Sequence, residues 1–291
     1  MPIPGDVGTI GILVAEALRR PLFVRHCGNW AVPRTPAERL WRWYMERAIG
    51  GRRVMVATGE GDRPPSTTND AMTWIFSTTL TERELAERRR VRVRPAMPAA
   101  LVTVGRQVHL KGTATAIEAV RILGDRGVDA TLDVVGDGPD LYSFRELASR
   151  LGVAEQVRFH GQVGHDDVMA ILDAADVFVF PTAASEGFPK AVLEALASGL
   201  PVVTSSVSSL PNLVGRAGVV LEDPSADAVA ASIERVVSDT EVYQRLSEDA
   251  VAAAADRSLE RWRDTLGGLL TERWGQLRDG RHIPEDRRWS A

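Results

Sequence analysis

The sequence predicts an α/β protein built on parallel, doubly wound sheets, and three observations predict it. From residue 101 onward, short strand patterns alternate with helical ones. The strand patterns are apolar at consecutive positions, as strands buried on both faces are. A proline-broken stretch, RVRPAMPAA at 92–100, separates this series from a first part with its own strand and helix patterns. Two domains are therefore expected, residues 1–95 and 96–275, followed by an irregular tail at 276–291.

In the first part, a helical pattern over 7–20 precedes the strand PLFVRH, 21–26. A helix over 36–49 leads to the strand RRVMVAT, 52–58, and TWIFSTT, 73–79, supplies a third. In the second part the strands are LVTVG (101–105), ATLDVVG (130–136), QVRFHG (156–161), DVFVFPT (176–182), PVVTSS (201–206) and GVVLE (218–222). Between them lie the helical patterns TATAIEAVRILGDRG, DLYSFRELASRLG and DDVMAILDAA. This is the βαβ series of a parallel sheet with helices on both faces. A further helix carries Pro189 at its first position and Gly199 just past its end. Three helical segments close the chain near 225–237, 239–255 and 258–276; the last has Leu259, Trp262, Leu266, Leu269 and Leu270 at helical spacing.

Apolar residues make up 44% and charged residues 25% of the 291, the composition of a soluble globular chain. No apolar run reaches membrane-spanning length and no signal peptide opens the sequence. The single cysteine, Cys27, leaves no internal disulfide and fits a reducing, cytoplasmic setting. The net charge of −4 divides into +6 over residues 1–95 and −10 over the rest. An acidic second part argues against nucleic acid as a partner. No G-x-G-x-x-G follows a strand and begins a helix, which disfavours a dinucleotide-dependent oxidoreductase.

Only two of the 35 basic residues are lysine, Lys111 and Lys190. In a doubly wound sheet, ligands bind beyond the carboxyl ends of the strands. Gly105 and Arg106 follow one such strand, and Lys111 stands just before a helix. Lys190 begins the helix within EGFPKAVLE, 186–194. Cations beside helix N-termini, with their free N–H groups and partial positive charge, form a site for a diphosphate. Glu186 lies in the loop before that helix and Glu194 one turn in. An ionised carboxylate only accepts hydrogen bonds, which suits the paired hydroxyls of a ribose or hexose. Spacing leaves a second reading open, a Lys190–Glu194 surface ion pair with no role for Glu186.

The helix over 36–49 puts Leu40, Trp41, Tyr44, Met45 and Ala48 on one stripe and Trp43 opposite, between Arg39 and Arg47. A tryptophan among arginines suits peripheral contact with an anionic membrane surface. A helix packed at the domain junction fits the same pattern.

Taken together, LVTVGRQVHLKG, VVGDGPD, VRFHGQV, DVFVFPTAASEGFPKAVLEALASGLPVV and GVVLEDP, within residues 100–240, resemble the retaining family 4 glycosyltransferases (glycosyl transferases group 1) of GT-B fold. The resemblance implies transfer of a sugar from a nucleotide-sugar donor to a glycan, lipid-linked or small-molecule acceptor, with retention of configuration, in polysaccharide biosynthesis. It implies that Gly105, Arg106 and Lys111 hold the donor diphosphate and that Glu194 accepts from the ribose. Glu186, with the backbone of Gly187, Phe188, Pro189 and Lys190, would contact the transferred sugar and its phosphate. Backbone around Phe159, His160 and Val163 would edge the nucleobase, and His26 would face the donor sugar. No two Asp residues stand two apart, so the metal-holding Asp-x-Asp of the other large glycosyltransferase fold is missing, and neither metal nor other cofactor is expected. Ser208-Ser209 and Pro211-Asn212 stand where the family often has Gly-Gly and Pro-Glu, which leaves the detail of the donor loop open. An inactive nucleotide-sugar-binding module is the alternative. A Rossmann-like domain takes roughly 150 residues, and about 95 precede the linker. The first part is therefore expected to be a partial domain that lacks its opening strands and acceptor-facing glycine loop, with an unpaired sheet edge and a bare apolar face.

Overall fold

The computed structural model describes residues 2–3, 5–30, 33, 35–93, 95 and 97–275. The tail at 276–291 lies outside these, as do Arg94 and Ala96 of the proline-broken stretch.

The first part forms a four-stranded, all-parallel sheet in the order β1-β2-β3-β4. The elements are β1 (Pro2–Ile3), α1 (Asp6–Ala17), β2 (Leu22–His26), α2 (Pro36–Ala48), β3 (Arg53–Thr58) and β4 (Thr73–Ile75). Right-handed connections between neighbouring parallel strands place α1 and α2 on the same face. Their core is Ile3, Ile12, Val24, Met45 and Met55. Thr35 starts α2 with a capping box: its side chain accepts from the Glu38 N–H, and the Glu38 carboxylate accepts from the Thr35 N–H, both at 3.1 Å. Glu16 ties three elements together. Its carboxylate accepts from Arg53 Nη2 (2.9 Å), from the Tyr44 hydroxyl (3.1 Å) and from Arg52. The Arg53 hydrogen bond leads in holding the Glu16 carboxyl down at about 2.

Three details differ from the sequence reading. β1 is a two-residue strand, too short to leave a pattern. Leu40 is 61% exposed, so the buried stripe of α2 narrows to Trp41, Tyr44, Met45 and Ala48. A helix, α3 (Glu82–Arg88), stands where none was expected; its signal is the capping box Thr81-x-x-Glu84. The outward side of α1 is apolar and bare: Val7, Ile10, Leu13, Val14 and Leu18 are 51–83% exposed, and β1 is an edge strand.

The second part is a six-stranded parallel sheet made of β5 (Ala99–Val104), β6 (Ala130–Val135), β7 (Val157–Gly161), β8 (Val177–Phe180), β9 (Val202–Ser205) and β10 (Gly218–Leu221). Its order, β10-β9-β8-β5-β6-β7, is the doubly wound one, and the winding reverses between β5 and β8. β5 begins inside the proline-broken stretch, because Ala99 already pairs with Ala130. On one face pack α4 (Thr113–Asp125), α5 (Leu141–Arg150) and α9 (Ala226–Ser238); on the other, α6 (His165–Ala174), α7 (Lys190–Ala197) and α8 (Leu210–Val214). α10 (Thr240–Ala255) contributes Tyr243 to the first core and Ala250 to the second. α11 (Leu259–Trp274) returns to the first sheet: Arg25 of β2 lies over Trp262 at 5.9 Å, and Trp274 Nε1 donates to the Arg52 carbonyl at 3.0 Å. No α11 residue is buried and Leu259 is 42% exposed, so the leucine stripe read from the sequence is only partly covered. Among the described residues, no helix is long and apolar enough to cross a membrane.

Candidate functional site

At the reversal point, the loops after β5 and β8 meet. His109–Lys111 forms a short 3-10 turn that ends on Gly112, at φ +82°. A Cβ on Gly112 would lie 2.3 Å from the Pro181 carbonyl, so only glycine lets the two loops touch. The Thr182 hydroxyl donates to the Leu110 carbonyl at 3.0 Å and locks the contact. Lys111 is thereby carried to Glu186, with which it forms an ion pair, and sits 5.5 Å over the Phe180 ring. The structure thus brings together the cation and the acid that the sequence assigned to phosphate and sugar.

α7 begins after Pro189 with no side-chain cap, so its first N–H groups are not taken up by one. Pro189 is the residue before the first helical one rather than the first itself, a shift of one position. Lys190 is exposed, and Gly187 and the buried Phe188 lead into the helix start. Glu194 is buried and forms no ion pair with Lys190 among the described residues, so the surface-pair reading falls. Its partner is the Thr79 hydroxyl, which donates to Oε1 at 3.0 Å from the segment after β4. His165 Nδ1 lies 3.9 Å from the same oxygen. Thr79 is 115 residues away in sequence, and no local pattern pointed to it.

Ser208 and Ser209, the departures from the family pattern, hold the loop before α7. Ser208 Oγ donates to the Glu186 carbonyl, and Ser209 Oγ to the Gly187 carbonyl at 2.9 Å. Ser208 has φ +59°, a left-handed conformation that costs a non-glycine residue on the order of 1 kcal/mol.

Arg106 is exposed on the rim of an open cavity of about 420 Å³ at the ends of β5, β6 and β7. Gly105, Gly136, Gln162 and Val163 also line it. Gly136, at φ +114°, belongs to the GDGP turn; a Cβ there would fall 2.0 Å from the Gly105 carbonyl, so this turn shapes the cavity wall. The side chains of Phe159 and His160 turn elsewhere. Phe159 packs on the core under Arg145, and His160 Nε2 bonds Asp133 at 2.6 Å. The Phe159 carbonyl accepts from Arg145 at 3.4 Å.

His26 ends β2 and is buried, edge-on to Trp30 at 5.2 Å. Its Nδ1 has no hydrogen-bond partner among the described residues. Burial pushes the imidazole below its ordinary range and keeps it neutral. The loop that follows meets the loop before α7: a Cβ on Gly187 would lie 3.0 Å from the Gly28 carbonyl. His26, Glu186 and Gly187 therefore stand on two sides of one cleft.

Among solved structures, Anabaena Alr3699/HepE in complex with UDP is similar, with a TM-score of 0.73 and 18% identity over 91% of this chain and 76% of that one. WaaG, a glycosyltransferase of lipopolysaccharide biosynthesis, has a TM-score of 0.64 and 19% identity over 90% of this chain and 80% of that one. The fold is thus α/β of the GT-B type. By sequence, the putative colanic acid biosynthesis glycosyltransferase WcaL of Salmonella typhimurium is 32% identical over 57% of this chain and 41% of its own length. The GDP-mannose-dependent alpha-(1-6)-phosphatidylinositol monomannoside mannosyltransferase of Mycobacterium tuberculosis is 32% identical over 65% of this chain and 49% of its own. The chain thus spans about half the length of the curated relatives it matches. Residues 86–252, more than half of the chain, match the glycosyl transferases group 1, and the chain belongs to that family.

Proposed function

We propose that the protein binds a nucleoside diphosphate sugar across this cleft and transfers the sugar to an acceptor with retention of configuration. The observation that supports the reading is the Lys111–Glu186 pair where the loops after β5 and β8 meet ahead of the uncapped start of α7, with Arg106 on the rim of the cavity at the ends of β5, β6 and β7 and the loop after His26 against Gly187. Arg106, Lys111 and the α7 amides take the diphosphate, and Lys111 exchanges Glu186 for phosphate when the donor enters. Glu194, oriented by Thr79, accepts from the ribose. Glu186 and the neutral His26 meet hydroxyls of the transferred sugar. In a same-face displacement, the acceptor oxygen bonds to the anomeric carbon as the bond to phosphate breaks, and the acceptor proton passes to the leaving phosphate oxygen. The protein's part is positioning and stabilising the charge that grows on the diphosphate. Protein cations serve that purpose, and the reaction needs no metal.

The acceptor side lies in residues 1–95 and the donor side in 96–275, a division supported by the two separate sheets. The bare α1 face, with Trp43 and Leu40 of α2 and the exposed Arg19, Arg20, Arg39 and Arg47, supports peripheral contact with an anionic membrane, where a lipid-linked acceptor would lie. A donor-binding module without transfer is the second reading. It is favoured by one observation, that the family match begins only at residue 86.

The test is calorimetric titration with UDP, GDP and ADP and their sugars, followed by an assay for sugar release. One relative's name specifies GDP-mannose and one solved relative holds UDP, so both bases belong in the screen. Binding with slow donor hydrolysis or transfer supports the enzyme, binding alone supports the module, and no nucleotide binding overturns both.

A further inference from the structure

The loop at 61–65, after β3, is pinned by two tryptophans. Trp74 Nε1 donates to the Arg63 carbonyl at 2.7 Å, and Trp30 Nε1 to the Pro65 carbonyl at 2.6 Å. Asp62, just before these points, accepts from Asn212 Nδ2 of α8 at 2.9 Å and ties the loop to the second part. With Arg42 of α2, these residues line an open cavity of about 460 Å³, a size suited to a small ligand. The Trp74 ring is seated on glycine backbone: a Cβ on Gly59 would lie 2.8 Å from it, and one on Gly61 3.2 Å. Arg42 stands 5.4 Å over the Trp30 ring and donates to the Trp30 carbonyl at 3.1 Å. Arg63 is exposed and forms no ion pair among the described residues.

The cavity lies one side chain from the donor site on two sides. Trp30 touches His26 edge-on, and a Cβ on Gly59 would lie 3.3 Å from the Gly187 carbonyl of the donor loop. An indole held by glycine and hydrogen bonds is a rigid apolar plate for the C–H face of a ring. Guanidinium groups beside it suit a phosphate or carboxylate. We propose that this cavity is the acceptor subsite and that it takes a cyclic polyol, a pyranose or cyclitol, bearing an anionic group. The ring lies against Trp74, and the anion is met by Arg63; Arg42 is already paired with Glu46 through Nε at 3.2 Å and shapes the wall. The inference rests on the glycosyltransferase reading above and names the acceptor class for it.

The experiment is calorimetry on the full chain with glucose 6-phosphate, myo-inositol 1-phosphate, glucose and inorganic phosphate. At least one ring phosphate should bind saturably, ten-fold or more tightly than glucose or phosphate. Trp74→Ala and Arg63→Ala should each weaken it at least five-fold. Arg63 is exposed, so that variant reports even if Trp74→Ala lowers the Tm. Flotation with phosphatidylinositol vesicles separates the sources: binding there in preference to the soluble esters assigns a lipid headgroup, and the reverse a soluble acceptor. Absence of ring-phosphate binding in every arm, or unchanged affinity in both variants, overturns the subsite. UDP and GDP are titrated in parallel: if nucleotide binds while the cavity does not, only this inference falls, and if nucleotide does not bind, the reading beneath it falls as well.

Discussion

Lys111 and Glu194 sit on either side of one proposed donor, and their partners separate their roles. Lys111 is paired with Glu186 at the phosphate end, whereas Glu194 is buried against Thr79. Arg106→Ala or Lys111→Ala should weaken nucleoside diphosphate binding by about ten- to a hundred-fold, from the loss of roughly 1.5–3 kcal/mol per charge-assisted hydrogen bond. Nucleoside without phosphate should be little affected. Glu194→Ala should weaken nucleoside and diphosphate alike. Equal losses of both ligands in the Lys111 variant, read by calorimetry, would refute the phosphate assignment. His26 carries a pH dependence. Its folded pKa lies below the ordinary value because burial disfavours the imidazolium. The stability it supplies is therefore complete above about pH 6.5 and is lost as pH falls toward the lower folded value. Thermal unfolding between pH 5 and 7.5 should show wild type losing Tm with acid more steeply than His26→Gln; parallel curves would contradict the burial argument.

At the scale of elements, α1 is the exception among the helices. Ile12 enters the core, yet Val7, Ile10, Leu13, Val14 and Leu18 face outward, and a helix apolar on all sides is ordinarily covered. α2 runs on the same face of the sheet and shows Trp43 with Arg47 4.9 Å over its ring. If this surface meets an anionic membrane, the chain should float with phosphatidylglycerol vesicles and much less with phosphatidylcholine. The exposed-site double variant Ile10→Ser, Leu13→Ser should lower the bound fraction several-fold with little change in Tm. Equal flotation with neutral vesicles would remove the anionic preference, and a wild-type dimer that the variant converts to monomer would replace the membrane by a second copy of the chain. The serines after β9 make a second element-scale point. Glycine would relax φ at Ser208 but would forfeit the hydroxyl that holds Glu186.

For the whole molecule, the two sheets are joined by polar contacts spread along the cleft. Arg257 pairs with Glu60, with Nε and Oε2 3.2 Å apart, and the Leu259 N–H donates to the Leu80 carbonyl at 2.7 Å. Asn212–Asp62 and Thr79–Glu194 lie across the same boundary. Nucleotide bound at the switch point would be met from both sides, so donor binding should raise the Tm in a single transition. Metal independence belongs at this scale as well, because the counter-charge for the diphosphate is spread over Arg106, Lys111 and the start of α7. Excess EDTA should leave donor affinity and any sugar release unchanged; loss restored by magnesium or manganese would overturn that expectation.

The donor half was legible in the sequence for a local reason. Strands buried on both faces write unbroken apolar runs, and the loops that follow them carry the chemistry within a few residues, as in Gly105, Arg106 and Lys111, or Glu186 through Glu194. Of the two lysines in this arginine-rich chain, Lys111 pairs with Glu186 and Lys190 stands exposed at the start of α7. The capping box of α3 was equally local and was passed over. Other features had no local signal. β1 is two residues long and exists only by pairing with β2. Thr79 reaches Glu194, Asp62 reaches Asn212, and Trp30 and Trp74 close one loop from opposite sides, all through contacts set by how sheets and helices stack. Nothing local in VVGDGPD marks Gly136, because the carbonyl that excludes a side chain there belongs to residue 105. By itself the sequence determined the sheet type and which charged residues follow the strands, since these follow from short-range pattern. The tertiary structure decided which buried groups are partnered and where the cavity beside Trp30 and Trp74 opens, because hydrogen bonds and close approaches between distant segments depend on the packed fold.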